Sequence, residues 1–191
     1  MNCIIIHRCP SNKEKAMDST HRTYDKHWIP WTKEELENNG FKVETPLMPE
    51  PWDVDYDAWK RKFDILNVNE ESVLVGHSCG CSFLVRWLGD TKKKVKKLVL
   101  VAPWKIPYGV GRDYENKKKF YGYEIDRSIR DRTKEIIIFT SDNEAPDGKQ
   151  SVIIFHEALG GKVIELRQHG HYTLDGMGTE EFPELLETIL R

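Results

Sequence analysis

No stretch of the sequence stays apolar for the roughly 20 residues that a membrane-spanning helix needs, so no span is expected. No sign of charge dominates either: 29 lysines and arginines stand against 31 aspartates and glutamates, a net charge of −2. That balance excludes a general binder of nucleic acid or of anionic membranes. Cysteine is scarce, with four, at positions 3, 9, 79 and 81. Cys79-Gly80-Cys81 has the wrong spacing for a zinc knuckle and no second knuckle accompanies it, so no metal site is expected. The four cysteines read instead as buried thiols in a reducing compartment, which points to a cytoplasmic protein. The first residues, Met1 to His7, lack the basic region, long apolar stretch and small-residue cleavage site of a secretory signal and read as a first strand. At 191 residues the chain fits one domain, 1–191.

What is present is a punctuated stretch near the middle. Val73-Leu74-Val75 runs into Gly76-His77-Ser78-Cys79-Gly80, and apolar residues then recur at Cys81, Leu84, Val85 and Leu88, the spacing of one helical face. A strand that turns sharply into a helix lifts the serine between them onto the tip of the turn, with its hydroxyl exposed and a helix N-terminus behind it. Glycines two residues to either side fit a turn in which neighbouring backbone comes too close for a Cβ.

The rest of the chain alternates strand and helix. Residues 3–7 form a strand, followed by a long polar stretch from Arg8 to Asp25. Residues 26–39 carry Trp28, Trp31 and Leu36, with Pro30 near the start and Asn39-Gly40 as a stop, and predict a helix. A short strand at 41–45 precedes a proline-rich connection at 46–51. A helix follows at 57–67, with Trp59, Phe63 and Leu66 on one face. The lysine-rich stretch 91–97 reads as a solvated loop or helix end, since no aromatic residues interleave it. Strands at 98–102, 135–140 and 162–166 are separated by an aromatic and charged segment, 103–132, and by a helix at 151–159. Residues 103–132 read either as a cap over the site or as packing against the sheet edge. A last helix places Phe182, Leu185, Leu186 and Ile189 on one face. The alternation predicts an α/β fold: a three-layer α/β/α sandwich on a mostly parallel sheet of about six strands, whose functional loops lie at the carboxyl ends of the strands.

At those ends the residues form a constellation. A serine hydroxyl needs a base, and the base needs a carboxylate to orient it, in the chain order serine, acid, histidine for this architecture. Asp142 follows the fifth strand and His171 the sixth, giving Ser78, Asp142 and His171 as the candidate triad. Glu144 and Asp147 are neighbouring alternatives for the acid, and His169 for the base. A tetrahedral intermediate also needs two backbone N–H donors. Cys79 offers one at the helix N-terminus, and the loop after the first strand offers the other from Cys9 or Arg8, because Pro10 has none; Cys9 is the candidate. Arg8, His77, Trp104 and Tyr108 are the candidate substrate contacts.

These residues resemble the small α/β-hydrolase-fold serine hydrolases similar to retinoblastoma-binding protein 9. The likeness is carried by Trp28-Ile29-Pro30-Trp31, Leu47-Met48-Pro49-Glu50-Pro51, Trp59, Gly76-His77-Ser78, residues 142–146 and Gly170-His171. It implies a minimal α/β-hydrolase fold and a compact, cofactor-free esterase with a Ser-Asp-His triad, matching Ser78, Asp142 and His171. The family usually has glycine where this chain has Arg8. The Leu-x-Cys-x-Glu motif of one relative is Leu66-Asn67-Val68-Asn69-Glu70 here, without the cysteine, so no protein partner is implied. The expected function is hydrolysis of a small ester or thioester through an acyl-enzyme on Ser78. A binding protein of the same fold with weak or lost catalysis, and an acyltransferase, are the alternatives.

Overall fold

The computed structural model describes residues 1–10 and 22–191. Much of the polar stretch between Arg8 and Asp25 therefore lies outside the described residues. Among the described residues the strands are β1 (Asn2–Ile6), β2 (Lys42–Glu44), β3 (Ser72–His77), β4 (Val95–Val101), β5 (Thr133–Ser141) and β6 (Lys162–Leu166). They form one 6-stranded sheet in the order β2-β1-β3-β4-β5-β6, and each neighbouring pair is parallel.

Side-chain alternation along the strands builds the layers. Successive residues of a strand point to opposite faces. Ile4, Ile6, Leu74, Leu98, Leu100, Ile136 and Ile138 enter one core. Cys3, Ile5, Val73, Val75, Val99, Val101, Ile137 and Phe139 enter the other. Because both faces are covered, the central strands read as unbroken apolar runs rather than as alternating ones.

On the first face lie α2 (Tyr56–Asp64), α3 (Cys79–Thr91) and α6 (Pro146–Leu159). Helix α2 starts where the Asp55 carboxylate accepts from the Ala58 N–H at 2.7 Å. It buries Trp59 and Phe63 completely, and removing an aromatic side chain of that size from such a site costs roughly 3–5 kcal/mol. On the second face lie α1 (Ile29–Asn38) and, after the short α7 (Leu174–Met177), α8 (Pro183–Leu190); α1 and α8 pack on each other beside the buried Trp28. Pro30 sits in the first turn of α1, where a missing N–H costs nothing.

Among the boundaries that differ from the sequence reading, two have a plain physical reason. The lysine-rich stretch is not all solvated: Val95 opens β4, and Lys97 is buried with its ammonium on Glu135 at 3.0 Å and on the Thr188 carbonyl. Helix α6 begins at Pro146 rather than at 151, because its first turn is polar and carries no apolar period. Within residues 103–132, α4 (Gly111–Tyr121) and α5 (Ile129–Arg132) follow an irregular start. Phe120 and Tyr121 are buried in the first core, whereas Trp104 and Tyr108 are only half-buried.

The cysteine reading is corrected. Cys9 and Cys79 form a disulfide, with Cα atoms 5.9 Å apart across a sequence separation of 70. Only Cys3 and Cys81 are free buried thiols. The loop after β1 and the start of α3 converge in the folded chain, a proximity that the cysteine positions alone do not reveal.

The strand order also fixes where a site can form. From β1 the chain crosses to β2 on one side and returns to β3 on the other, so the order reverses between β1 and β3. Loops leaving adjacent strands in opposite senses open a crevice at their carboxyl ends. Ser78 and Cys9 lie on the two loops that border it.

Candidate active site

Ser78 follows β3 directly, with φ 56° and ψ −116°, a sparsely populated conformation for a residue with a side chain. Backbone bonds on both sides hold it. Its N–H donates to the Val101 carbonyl at 2.9 Å, and its carbonyl accepts from the N–H groups of Cys81 at 3.0 Å and Trp104 at 3.3 Å. The flanking glycines are required by contact. A Cβ on Gly76 would lie 2.6 Å from the Cys81 nitrogen, and one on Gly80 would lie 2.5 Å from the Ile6 carbonyl oxygen.

His171 meets the serine: its Nε2 is 2.8 Å from Ser78 Oγ. Its Nδ1 is 2.8 Å from Glu144 Oε2, not from Asp142. The carboxylate fixes the tautomer, since Nδ1–H must donate to it and Nε2 is left to accept the serine proton. Glu144 is nearly inaccessible, its side chain 1% exposed, and its other oxygen accepts from the Ala145 N–H at 2.7 Å. Gly148, one helical turn on, leaves room for it, because a Cβ there would come within 2.7 Å of the Glu144 side chain.

This corrects the expected placement: the carboxylate at His171 is not that of Asp142. Its N–H is spent on the Leu166 carbonyl at 3.0 Å, and its exposed carboxylate turns outward to accept from Gln168 N–H at 2.7 Å. That bond to a backbone N–H holds its carboxyl below the usual carboxylate range. Its neighbours act on the same loop. Ser141 Oγ accepts from His169 N–H at 2.8 Å, and Asn143 Oδ1 accepts from Gly170 N–H at 2.8 Å. Together, residues 141–143 anchor the loop that presents His171. His169 is turned away, its Nδ1 on the Arg167 carbonyl at 2.7 Å. The signal for Glu144 was a longer acid with a glycine four residues on, at the start of a helix.

Of the candidate substrate contacts, Trp104 stands edge-on to His171, with ring centroids 5.6 Å apart, and Tyr108 stands 6.0 Å from Trp104. Arg8 is half-buried, its Nε 3.2 Å from His27 Nε2. His77 does not line the site. It is 0% exposed, and its Nε2–H donates to the His171 carbonyl at 2.9 Å, so it supports the loop from behind. Burial, followed by the nearby His171, drives its imidazole well below its ordinary pKa and keeps it neutral.

Of the two expected N–H donors, Cys79 follows the serine directly and Cys9 is linked to Cys79. Neither the Cys79 N–H nor the Cys9 N–H meets an acceptor among the described residues, and the disulfide joins their residues. Behind them His7 is buried. It accepts the Met48 N–H at Nε2 (2.9 Å), so its Nδ1 carries the proton and donates to the Arg8 carbonyl at 2.8 Å. Burial lowers the His7 pKa to about 4.

A serine on the turn after the third strand of a parallel sheet, with a histidine from the loop after the last strand at its hydroxyl, defines an enzyme of the α/β-hydrolase type. The comparison of sequences agrees: residues 20–190 match the serine hydrolase family, and the chain belongs to it. The YdeN protein of Bacillus subtilis (strain 168) is 29% identical over 80 residues, a stretch covering 40% of this chain and 42% of YdeN. In three dimensions the likeness runs further. The structure of the Bacillus subtilis ydeN product superposes with a TM-score of 0.82 at 18% identity, covering 99% of this chain and 96% of the other. Est1E from Butyrivibrio proteoclasticus gives 0.65 at 14% identity, covering 100% and 88%. XC6422 from Xanthomonas campestris, described as an α/β serine hydrolase without a lid, gives 0.55 at 12% identity, covering 98% and 78%. These structural likenesses establish the fold. No helix among the described residues is long and apolar enough to cross a membrane.

Proposed function

We propose that the protein cleaves a small ester or thioester through an acyl-enzyme on Ser78, with His171 as general base and Glu144 as its orienting acid. The contact that carries this reading is the continuous relay from Ser78 Oγ to His171 Nε2 and from His171 Nδ1 to Glu144, each link 2.8 Å. As Ser78 attacks the carbonyl carbon, its proton passes to Nε2, and Glu144 stabilises the imidazolium without taking the proton. The oxyanion forms against the Cys79 and Cys9 N–H groups, where the first turn of α3 also favours negative charge. Collapse expels the alcohol or thiol, which takes the proton from His171. Water, activated by the same imidazole, then releases the acid.

Trp104 and Tyr108 supply an apolar wall for the acyl or leaving group, and Arg8 borders the same crevice. Within the serine hydrolases, kinship with the proteins similar to retinoblastoma-binding protein 9 is supported by the tryptophans and the proline-bearing loop. The test is labelling with a fluorophosphonate probe and turnover of p-nitrophenyl acetate, in wild type and Ser78→Ala. The wild type is expected to label and turn over, and the variant to do neither. A wild type inert in both assays would leave a binding protein of this fold as the better reading.

A further inference from the structure

We propose that the Cys9–Cys79 disulfide is a positioning element of the oxyanion hole, so that turnover depends on its oxidation state. The inference rests on the assignment of Ser78 as nucleophile and of the Cys9 and Cys79 N–H groups as oxyanion donors. The two donors come from separate segments, the loop after β1 and the first turn of α3, whose residues stand 70 apart in sequence. Cys79 is fixed by its helix. Cys9 is not: it follows the end of β1 by three residues, is half-buried, and its N–H has no acceptor among the described residues.

Two constraints replace a regular element at Cys9. The first is orientation. In a trans peptide the C=O and N–H point in opposite directions within one plane, so the His7 Nδ1–H bond to the Arg8 carbonyl at 2.8 Å aims the Cys9 N–H. The second is distance. The disulfide holds the Cys9 Cα 5.9 Å from the Cys79 Cα, which fixes the spacing between the two donors. His7 alone leaves the loop free to shift along the crevice, whereas the covalent link does not.

The bond is also placed for exchange. Cys9 is half-buried while Cys79 is 0% exposed, so an incoming thiolate meets the Cys9 sulfur. The sulfur that leaves is then Cys79 at the start of α3, where the helix terminus stabilises a thiolate. With a small dithiol as reductant the step balances. One thiolate bonds to Cys9 Sγ as the Cys9–Cys79 bond breaks, and Cys79 takes a proton. The second thiol of the reductant then closes on its own partner sulfur and frees Cys9 as a thiol. Two electrons and two protons pass to the protein, and the reductant departs as a cyclic disulfide.

The experiment uses the full chain purified without reductant. Thiols titrated after denaturation should number two, from Cys3 and Cys81, and four after reduction. Steady-state kinetics with p-nitrophenyl acetate and the rate of fluorophosphonate labelling are then measured for oxidised, dithiothreitol-reduced and reoxidised protein. The assays are run below the melting transition of the reduced form, located by near-ultraviolet circular dichroism. Reduction should lower kcat about 10- to 100-fold, as expected for a misplaced rather than missing group, with KM within about twofold, and reoxidation should restore it. Cys9→Ser should sit at the reduced level and ignore dithiothreitol. Merely loosened folding would not give a reversible loss confined to kcat. Four thiols before reduction, or equal kcat in the oxidised and reduced forms, overturns the proposal. An active oxidised enzyme without a redox response overturns this inference alone, whereas activity surviving in Ser78→Ala overturns the assignment on which it rests.

Discussion

Glu144 is constrained from three sides, by the Ala145 N–H on one oxygen, by His171 on the other and by the absent side chain of Gly148 beneath. An amide in its place would keep the shape but could turn its NH2 toward Nδ1 and favour the wrong tautomer. Glu144→Gln should therefore lower kcat by up to about 10⁴-fold. Asp142→Asn keeps an oxygen for the Gln168 N–H and should change kcat by less than about tenfold. A stopped assay on the two variants separates them, and the reverse ranking would return the acid to Asp142. Ser78 and His171 were legible in the sequence because glycine punctuation and chain order mark them. The carboxylate that meets His171 was not legible, because the choice among three carboxylates within six residues depends on which way the backbone turns after β5. His77 misled for the opposite reason: it is next to Ser78 in sequence, yet strand alternation points it into the second layer.

At the scale of elements, the loop after β1 is the part that the pattern of residues could not fold. Its anchor is His7, a polar residue in what reads as an apolar strand, tying the proline-rich connection at Met48 to the Arg8 carbonyl. That anchor works only when neutral, which sets a pH dependence. Its pKa of about 4 in the folded chain lies below the ordinary 6.5, and His27, lowered by burial and by Arg8, also falls to about 4. Above pH 6.5 both are neutral folded or unfolded and contribute no slope. As the pH falls from 6.5 toward 4, the unfolded chain takes up protons that the folded chain refuses, so stability declines and then levels off. His7 alone should cost on the order of 3 kcal/mol across that window. Urea midpoints at pH 7 and pH 4.5 measure the decline, and His7→Gln should make it shallower; an unchanged slope would show that His7 does not titrate on unfolding. The central strands were legible as short unbroken apolar runs and the amphipathic helices by their 3.6-residue period; their ends moved, and the helix at 111–121 was not read because its sequence carries no clean apolar period.

Taken whole, the molecule is two cores divided by one sheet, with the crevice where the strand order reverses. The layer arrangement followed from alternating strand and helix signals. The disulfide did not, because composition speaks of compartment and only the fold brings position 9 to position 79. Closing a loop of this length stabilises a chain by roughly 4 kcal/mol through the entropy of the unfolded state. Reduction should lower the unfolding free energy by about that amount, seen as a lower urea midpoint. A midpoint unmoved by reduction would mean that the link does not constrain the unfolded chain.

The crowding at Gly76 and Gly80 has a consequence for how this sequence can change over generations. Each position is closed by backbone, at Cys81 for one and at Ile6 for the other, and backbone cannot be traded for a smaller neighbour. No second mutation nearby can make room, so lineages of this protein can wander through its surface and much of its two cores while these glycines stay as they are. Drift is blocked there by geometry even in a descendant that no longer needs the chemistry of Ser78, provided it keeps the turn.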